Sequence, residues 1–211
     1  QAAAQAVAAM RPARFGFGKT QSWINVNRDL QTAFGFWVEG PNYAGYSNRD
    51  LSILKFEDMQ GKLITALMNY GAHAVCAFLQ PDEDGIFKTS GNFPGIACRF
   101  VEETFGGDSV AIWTSGAAGN QDPILFDYTW QEFPDGYVTK IPEPDGTGYR
   151  HMEALGRMQG ADAVRCLKDI SAADAPFPIV FEKTTVSFPA RRRVSGSNGP
   201  LGFRMGGVGP R

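Results

Sequence analysis

The chain contains two histidines, His73 and His151, so any imidazole chemistry rests on one or both of them. His73 stands in the run Tyr70-Gly71-Ala72-His73-Ala74-Val75-Cys76, directly after a stretch with strand character. Strand ends present side chains from a rigid support, and Gly71 lets the backbone turn or approach another segment closely there. A neutral imidazole in such a place suits zinc, and it equally suits a hydrogen-bonded position in the core; the spacing leaves both open. His151, with only Glu153 nearby, reads as a surface or capping residue near the start of a helix.

The second candidate is the loop Ser115-Gly116-Ala117-Ala118-Gly119-Asn120-Gln121-Asp122-Pro123, which follows the β-rich run 110–114. Its small residues expose backbone N–H groups, as a phosphate cradle does, but the Lys-Ser/Thr ending of a P-loop is missing. The same N–H groups at Gly119, Asn120 and Gln121 could face a developing oxyanion, and a plain tight turn explains the composition as well. Asp122 is suited to orient a water or accept its proton, or to cap the turn that follows.

Composition narrows the setting of these residues. With 211 residues and 43% hydrophobic side chains the chain can bury a substantial core. Lys+Arg 20 against Asp+Glu 22 gives −2, which supplies no positive field for a nucleic-acid partner. No run reaches the roughly 18 to 20 apolar residues of a membrane span. Cys76, Cys98 and Cys166 show no CxxC spacing and read as buried thiols.

The elements that must carry the candidates follow from periodicity. Residues 1–10 are alanine-rich helix closed by Pro12, and they open without a cap, as the end of a helix begun elsewhere would. Residues 13–17 and 22–26 are strand candidates, the second interrupted by Asn27-Arg28-Asp29. Residues 51–57 and 63–70 flank the turn Asp58-Met59-Gln60-Gly61 and predict a hairpin. Asn92-Phe93-Pro94-Gly95 opens a helix with the stripe Ile96, Phe100, Val101 and Phe105, ended by Gly106-Gly107. Strand, helix, strand and glycine loop together predict an α/β fold with a mixed sheet and flanking helices. Residues 126–148, rich in aromatics, prolines and glycines, read as an irregular loop or lid. Residues 149–170 read as a long amphipathic helix in which Gly156 and Gly160 allow close packing, and 179–188 as a further strand. Residues 1–189 are expected to be part of one α/β domain, and 190–211, basic and glycine-rich, a loop or tail.

The order of short motifs then matters. Asn27-Arg28, Asn48-Arg49-Asp50-Leu51-Ser52-Ile53-Leu54-Lys55-Phe56-Glu57-Asp58, Gly61-Lys62-Leu63-Ile64, Gly71-Ala72-His73, Ser90-Gly91-Asn92-Phe93-Pro94-Gly95, Glu102 and the loop 116–123 occur in one sequence. In this order they resemble the N-terminal catalytic domain of neutral/alkaline non-lysosomal ceramidases, over most of residues 1–170. In that family the loop ends Gly-Asp-Val-Ser-Pro with an active-site serine, whereas Asp122 stands in the serine's place here. The chain is closer to smaller relatives with a Gly-Ala-Ala-Gly-Asp-Gln-Asn-Pro loop, and the departure weighs against ceramide as substrate.

The resemblance implies a zinc amidohydrolase: zinc activates water, and the substrate is a small molecule or lipid-like. By resemblance His73 is a zinc ligand, Arg28 holds an anionic or carbonyl oxygen of the substrate, and Gly119, Asn120, Gln121 and Asp122 lie at the reacting carbonyl. The family's other ligands, a histidine, a glutamate and a tyrosine, fall outside the matched motifs. The resemblance therefore implies the middle part of a catalytic domain, active with flanking segments or partner chains; it allows a secreted or periplasmic setting without fixing one. The alternative expectation is a non-catalytic binding or assembly subunit that keeps the fold.

Overall fold

The computed structural model describes residues 1–78, 80–135, 137–174 and 180–187. It is a mixed α/β structure: α1 (Ala2–Ala8), β1 (Arg14–Gln21), β2 (Asn25–Gln31), β3 (Trp37–Asn42), β4 (Asp50–Glu57), β5 (Leu63–Tyr70), α2 (Asn92–Phe105), β6 (Val110–Ser115), β7 (Gln121–Pro123), β8 (Tyr128–Glu132), β9 (Val138–Pro142) and α3 (Thr147–Asp169). The strands form a four-stranded sheet in the order β1-β4-β5-β6, a three-stranded sheet β3-β2-β7 and the hairpin β8-β9.

The expected hairpin is β4-β5, antiparallel, with Gly61 taking the positive φ that its turn needs. From β5 the chain crosses through α2 and returns as β6, parallel to β5 in the register Leu67↔Ile112 and Tyr70↔Ser115. Alternation decides which side is covered: Leu51, Ile53, Ala66, Met68 and Tyr70 are buried. They meet Phe93 and Val101 of α2 and Leu155, Ala163 and Leu167 of α3 in one core. Each large apolar side chain buried there contributes about 1.5–3 kcal/mol. The two helices lie close together because α3 offers glycine at the crossing: a Cβ on Gly156 would stand 2.5 Å from Ile96 Cβ, and one on Gly160 2.7 Å from Phe100 Cβ.

Several expectations are corrected. The polar triplet Asn27-Arg28-Asp29 does not interrupt a strand; β2 runs through it, with a bulge between Asn27 and Asp29 against β3. Side-chain direction is reset at such a bulge, so polar residues can follow one another without breaking the pairing. Residues 126–148 are not irregular throughout: Tyr128, Thr129 and Trp130 are good strand formers and pair with β9. Lys140 lies 4.5 Å from the Tyr128 ring centre and 4.9 Å from that of Trp130, which ties the hairpin's two strands on one face. β3 carries Gly40 and Pro41 yet forms an edge strand, where a missing N–H costs nothing. Within 179–188 the described residues 180–187 hold no strand, and the tail 190–211 lies outside the described residues. His151 is half-buried, its Nδ1 2.6 Å from the Phe126 carbonyl, and not a surface cap.

Candidate functional site

β5 and β6 are parallel neighbours, so the segments leaving their carboxyl ends emerge side by side. Open α/β sheets bind ligands at such ends. The Gly116 N–H donates to the Tyr70 carbonyl at 2.8 Å, and a Cβ on Gly71 would stand 2.9 Å from the Ala117 carbonyl oxygen. Glycine at 71 is therefore required for the two exits to touch.

The exit of β5 carries His73, and the exit of β6 leads through a turn into β7. β7 pairs antiparallel with β2 in the register Val26↔Asp122 and Asn27↔Gln121, which brings Arg28 to the same place. The Arg28 N–H donates to the Asn120 carbonyl at 3.0 Å, and its guanidinium Nη1 is 3.4 Å from Asp122 Oδ1. The His73 ring Nδ1 is 3.5 Å from that same oxygen. Arg28, His73 and Asp122, far apart in sequence, thus meet around one carboxylate oxygen.

Their exposure differs in a useful way. Asp122 keeps 3% of its side-chain surface, Arg28 23% and His73 34%. Burial pushes the Asp122 carboxyl above its ordinary range, and the Arg28 guanidinium opposes that rise. The Arg28 Nε is buried without a hydrogen-bond partner among the described residues, so an incoming group would meet the exposed part of the guanidinium, whose side chain is 23% exposed. A planar fork with unused donors is suited to an incoming carbonyl oxygen or anion.

His73 is held twice by one carbonyl. Its backbone N–H donates to the Gln121 oxygen at 3.0 Å, and its ring Nδ1 is 3.0 Å from that same oxygen. A carbonyl only accepts, so Nδ1 carries the proton and Nε2 keeps the lone pair that a metal would use. Nε2 has no hydrogen-bond partner among the described residues. His73 thus has the chemistry of one zinc ligand. No group of three or more His, Cys, Asp or Glu side chains suited to a metal ion occurs among the described residues.

The loop residues separate into two kinds. The Gln121 N–H closes a turn on the Ala118 carbonyl at 2.9 Å, and its side-chain amide donates to Asn120 Oδ1 and the Tyr46 carbonyl. Gln121 is 2% exposed, and its backbone and side-chain N–H groups are engaged within the fold. Gly119 and Asn120 are the central residues of this turn, and among the described residues no backbone carbonyl takes their N–H groups. Sequence reasoning missed Asn25, fully buried at the centre of the polar contacts behind His73; a lone Asn in an apolar stretch carries no signal of burial. A separate cleft of about 550 Å³ lined by Asp82, Glu83, Lys88, Tyr149 and Arg150 includes none of the site residues.

No family model matches the chain, and none of the curated proteins compared with it matches. Solved structures do. The neutral ceramidase from Pseudomonas aeruginosa superposes with a TM-score of 0.56 at 21% identity, covering 79% of this chain and 24% of that one. A ceramidase complexed with C2 gives 0.55 and 22%, with the same coverage. The chain has the fold of part of a neutral ceramidase and spans about a quarter of the length of these structures.

Proposed function

We propose that this chain contributes part of the catalytic domain of a zinc-dependent hydrolase that cleaves an amide or related carbonyl bond in a small or lipid-like molecule. The observation that carries the reading is the meeting of Arg28, Asp122 and His73 at the carboxyl ends of β5 and β6. The shared fold with neutral ceramidases supports the hydrolase class.

Zinc, when bound, supplies a Lewis acid for the carbonyl and a lowered pKa for water. His73 provides one ligand atom, Nε2, and segments or chains beyond the described residues provide the rest. Arg28 holds the substrate's carbonyl oxygen or a neighbouring anionic group with the part of its fork that Asp122 leaves free. The N–H groups of Gly119 and Asn120 stabilise the negative charge that develops as the carbonyl is attacked. Asp122 orients Arg28 and His73 through Oδ1, and its raised affinity for a proton suits it to take one up during the reaction.

The test is made on the intact protein, by metal analysis together with hydrolysis of a panel of N-acyl amides differing in chain length and charge. About one zinc per site with turnover of some panel member is expected. A metal-free protein that turns over no member of the panel and binds a protein partner would overturn the proposal in favour of an assembly subunit.

A further inference from the structure

We infer that Asn25 is a positioning residue for His73: its buried side-chain amide clamps the residue two before His73 to the residue whose carbonyl receives the His73 ring. The inference rests on the reading of His73 as a metal ligand only for its functional consequence. Asn25 is fully buried on β2 and keeps every polar atom occupied. Its Nδ2 lies 2.7 Å from the Gly71 carbonyl, 2.8 Å from the Asn48 carbonyl and 3.2 Å from Gln121 Oε1. Its Oδ1 accepts from Arg49 Nη1 at 2.8 Å, and Arg49 also donates to the Asn25 carbonyl.

The geometry gives these contacts a direction. His73 directs both its backbone N–H and its ring Nδ1 at the Gln121 oxygen, 3.0 Å away in each case, and the neighbouring Asp122 Oδ1 stands farther off at 3.5 Å. The ring's tautomer and aim therefore depend on how Gln121 lies against the Gly71–His73 backbone. Asn25 spans that gap, with Gly71 on one side and Gln121 on the other. Register alone does not do this: β7 is a three-residue strand. The Gln121 side chain continues the clamp to Tyr46, whose carbonyl also accepts from Asn27 Nδ2 at 2.9 Å. Three segments behind the ring are thus joined through one amide. Buried networks of this kind confer rigidity when fully satisfied and fail sharply when one donor is lost.

Asn25→Asp is nearly isosteric but turns two donors into acceptors facing three acceptor oxygens. Asn25→Ser keeps one donor with a shorter reach and serves where the first variant folds poorly. Ser109→Ala is the structural control: it removes another hydrogen bond of a buried side chain, from Ser109 to the Gly106 carbonyl at 3.0 Å, without touching the clamp. The readout is the His73 tautomer in the metal-free intact protein, from long-range ¹H–¹⁵N correlations of the imidazoles at a pH where they are neutral. The only other histidine, His151, is assigned by its own substitution. Zinc affinity by competition with a chelator is the second readout.

The wild type and Ser109→Ala should hold the His73 proton on Nδ1. The Asn25 variants should show a mixture with the Nε2 proton and a zinc affinity lower by about 10- to 100-fold, as for loss of a partner behind a metal ligand. An unchanged tautomer in both Asn25 variants, or a wild type with the proton on Nε2, would overturn the inference. A wild type that shows the expected tautomer but binds no zinc would leave the clamp standing and remove the metal reading instead.

Discussion

Gly156→Ala should destabilise the protein, although alanine is the better helix former. In the interior of α3 the exchange would by itself gain about 1 kcal/mol. The added Cβ, however, would stand 2.5 Å from Ile96 Cβ, 2.7 Å from Ile96 Cγ2 and 2.8 Å from the Phe93 carbonyl oxygen. Two of these are a β-branched side chain with little rotamer freedom and the third is backbone, so the helices must separate. Such overpacking costs about 1–3 kcal/mol and the separation would loosen Phe93 and Leu155 in the core, giving a net loss of up to about 2 kcal/mol. Gly95→Ala in α2 is the internal reference: nothing lies within 4 Å of its Cβ position, and its φ is not positive. That variant should gain about 0.5–1 kcal/mol from propensity alone. Parallel thermal melts of the intact protein would place the two variants on opposite sides of the wild type, several degrees apart at about 2–4 °C per kcal/mol. Equal melting points, or a Gly156→Ala protein more stable than Gly95→Ala, would refute the account of the helix crossing.

Arg28→Lys should lower turnover by about 10²-fold, since a point charge cannot serve Asp122 and a substrate oxygen together; unchanged rates on every substrate would remove Arg28 from substrate binding. Asp127, fully buried, accepts the N–H groups of Phe78 at 2.7 Å and Gln80 at 3.1 Å, so Asp127→Ala should cost about 3 kcal/mol in denaturant unfolding. Burial pushes the Cys76 thiol up to about 12 and Cys98 to about 11, so all three thiols, Cys166 included, should resist alkylation at pH 8 until the protein is unfolded. Because the folded thiols stay protonated where unfolded ones ionise, this contribution to stability is full below the ordinary thiol value and declines as pH rises above it. The sheet face opposite the helices carries Phe17, Val110 and Ile112, 55%, 50% and 42% exposed, with Leu54 and Leu67 between Phe17 and Ile112. Residues 1–211 expressed alone should therefore bind a hydrophobic dye or self-associate; a monodisperse, cooperatively unfolding monomer would contradict this.

Legibility in the sequence followed the range of the interactions. The β4-β5 hairpin, α2 and α3 were readable because turn residues, periodicity and the spacing of Gly156 and Gly160 are local signals. β3 was not, since Gly40 and Pro41 act as breakers unless the strand is known to lie at an edge. β2 was hidden by its bulge, where three polar residues follow one another because β7 and the loop before β4 supply their partners. The same limit applies to the site. His73, Arg28 and Asp122 were legible as residue types in an order of motifs, but their meeting depends on β7 pairing with β2, a contact across almost 100 residues. Asn25 and the engaged state of Gln121 arise only from that contact.

The central claim is that His73 belongs to a metal site and not to the core. The most direct test is the zinc content of the intact protein with and without His73→Ala, measured beside a thermal melt. The account predicts loss of the zinc and of hydrolysis with little change in melting temperature, because the ring is one-third exposed and its loss leaves no cavity in the core. Full zinc retention with unchanged turnover in His73→Ala would contradict it.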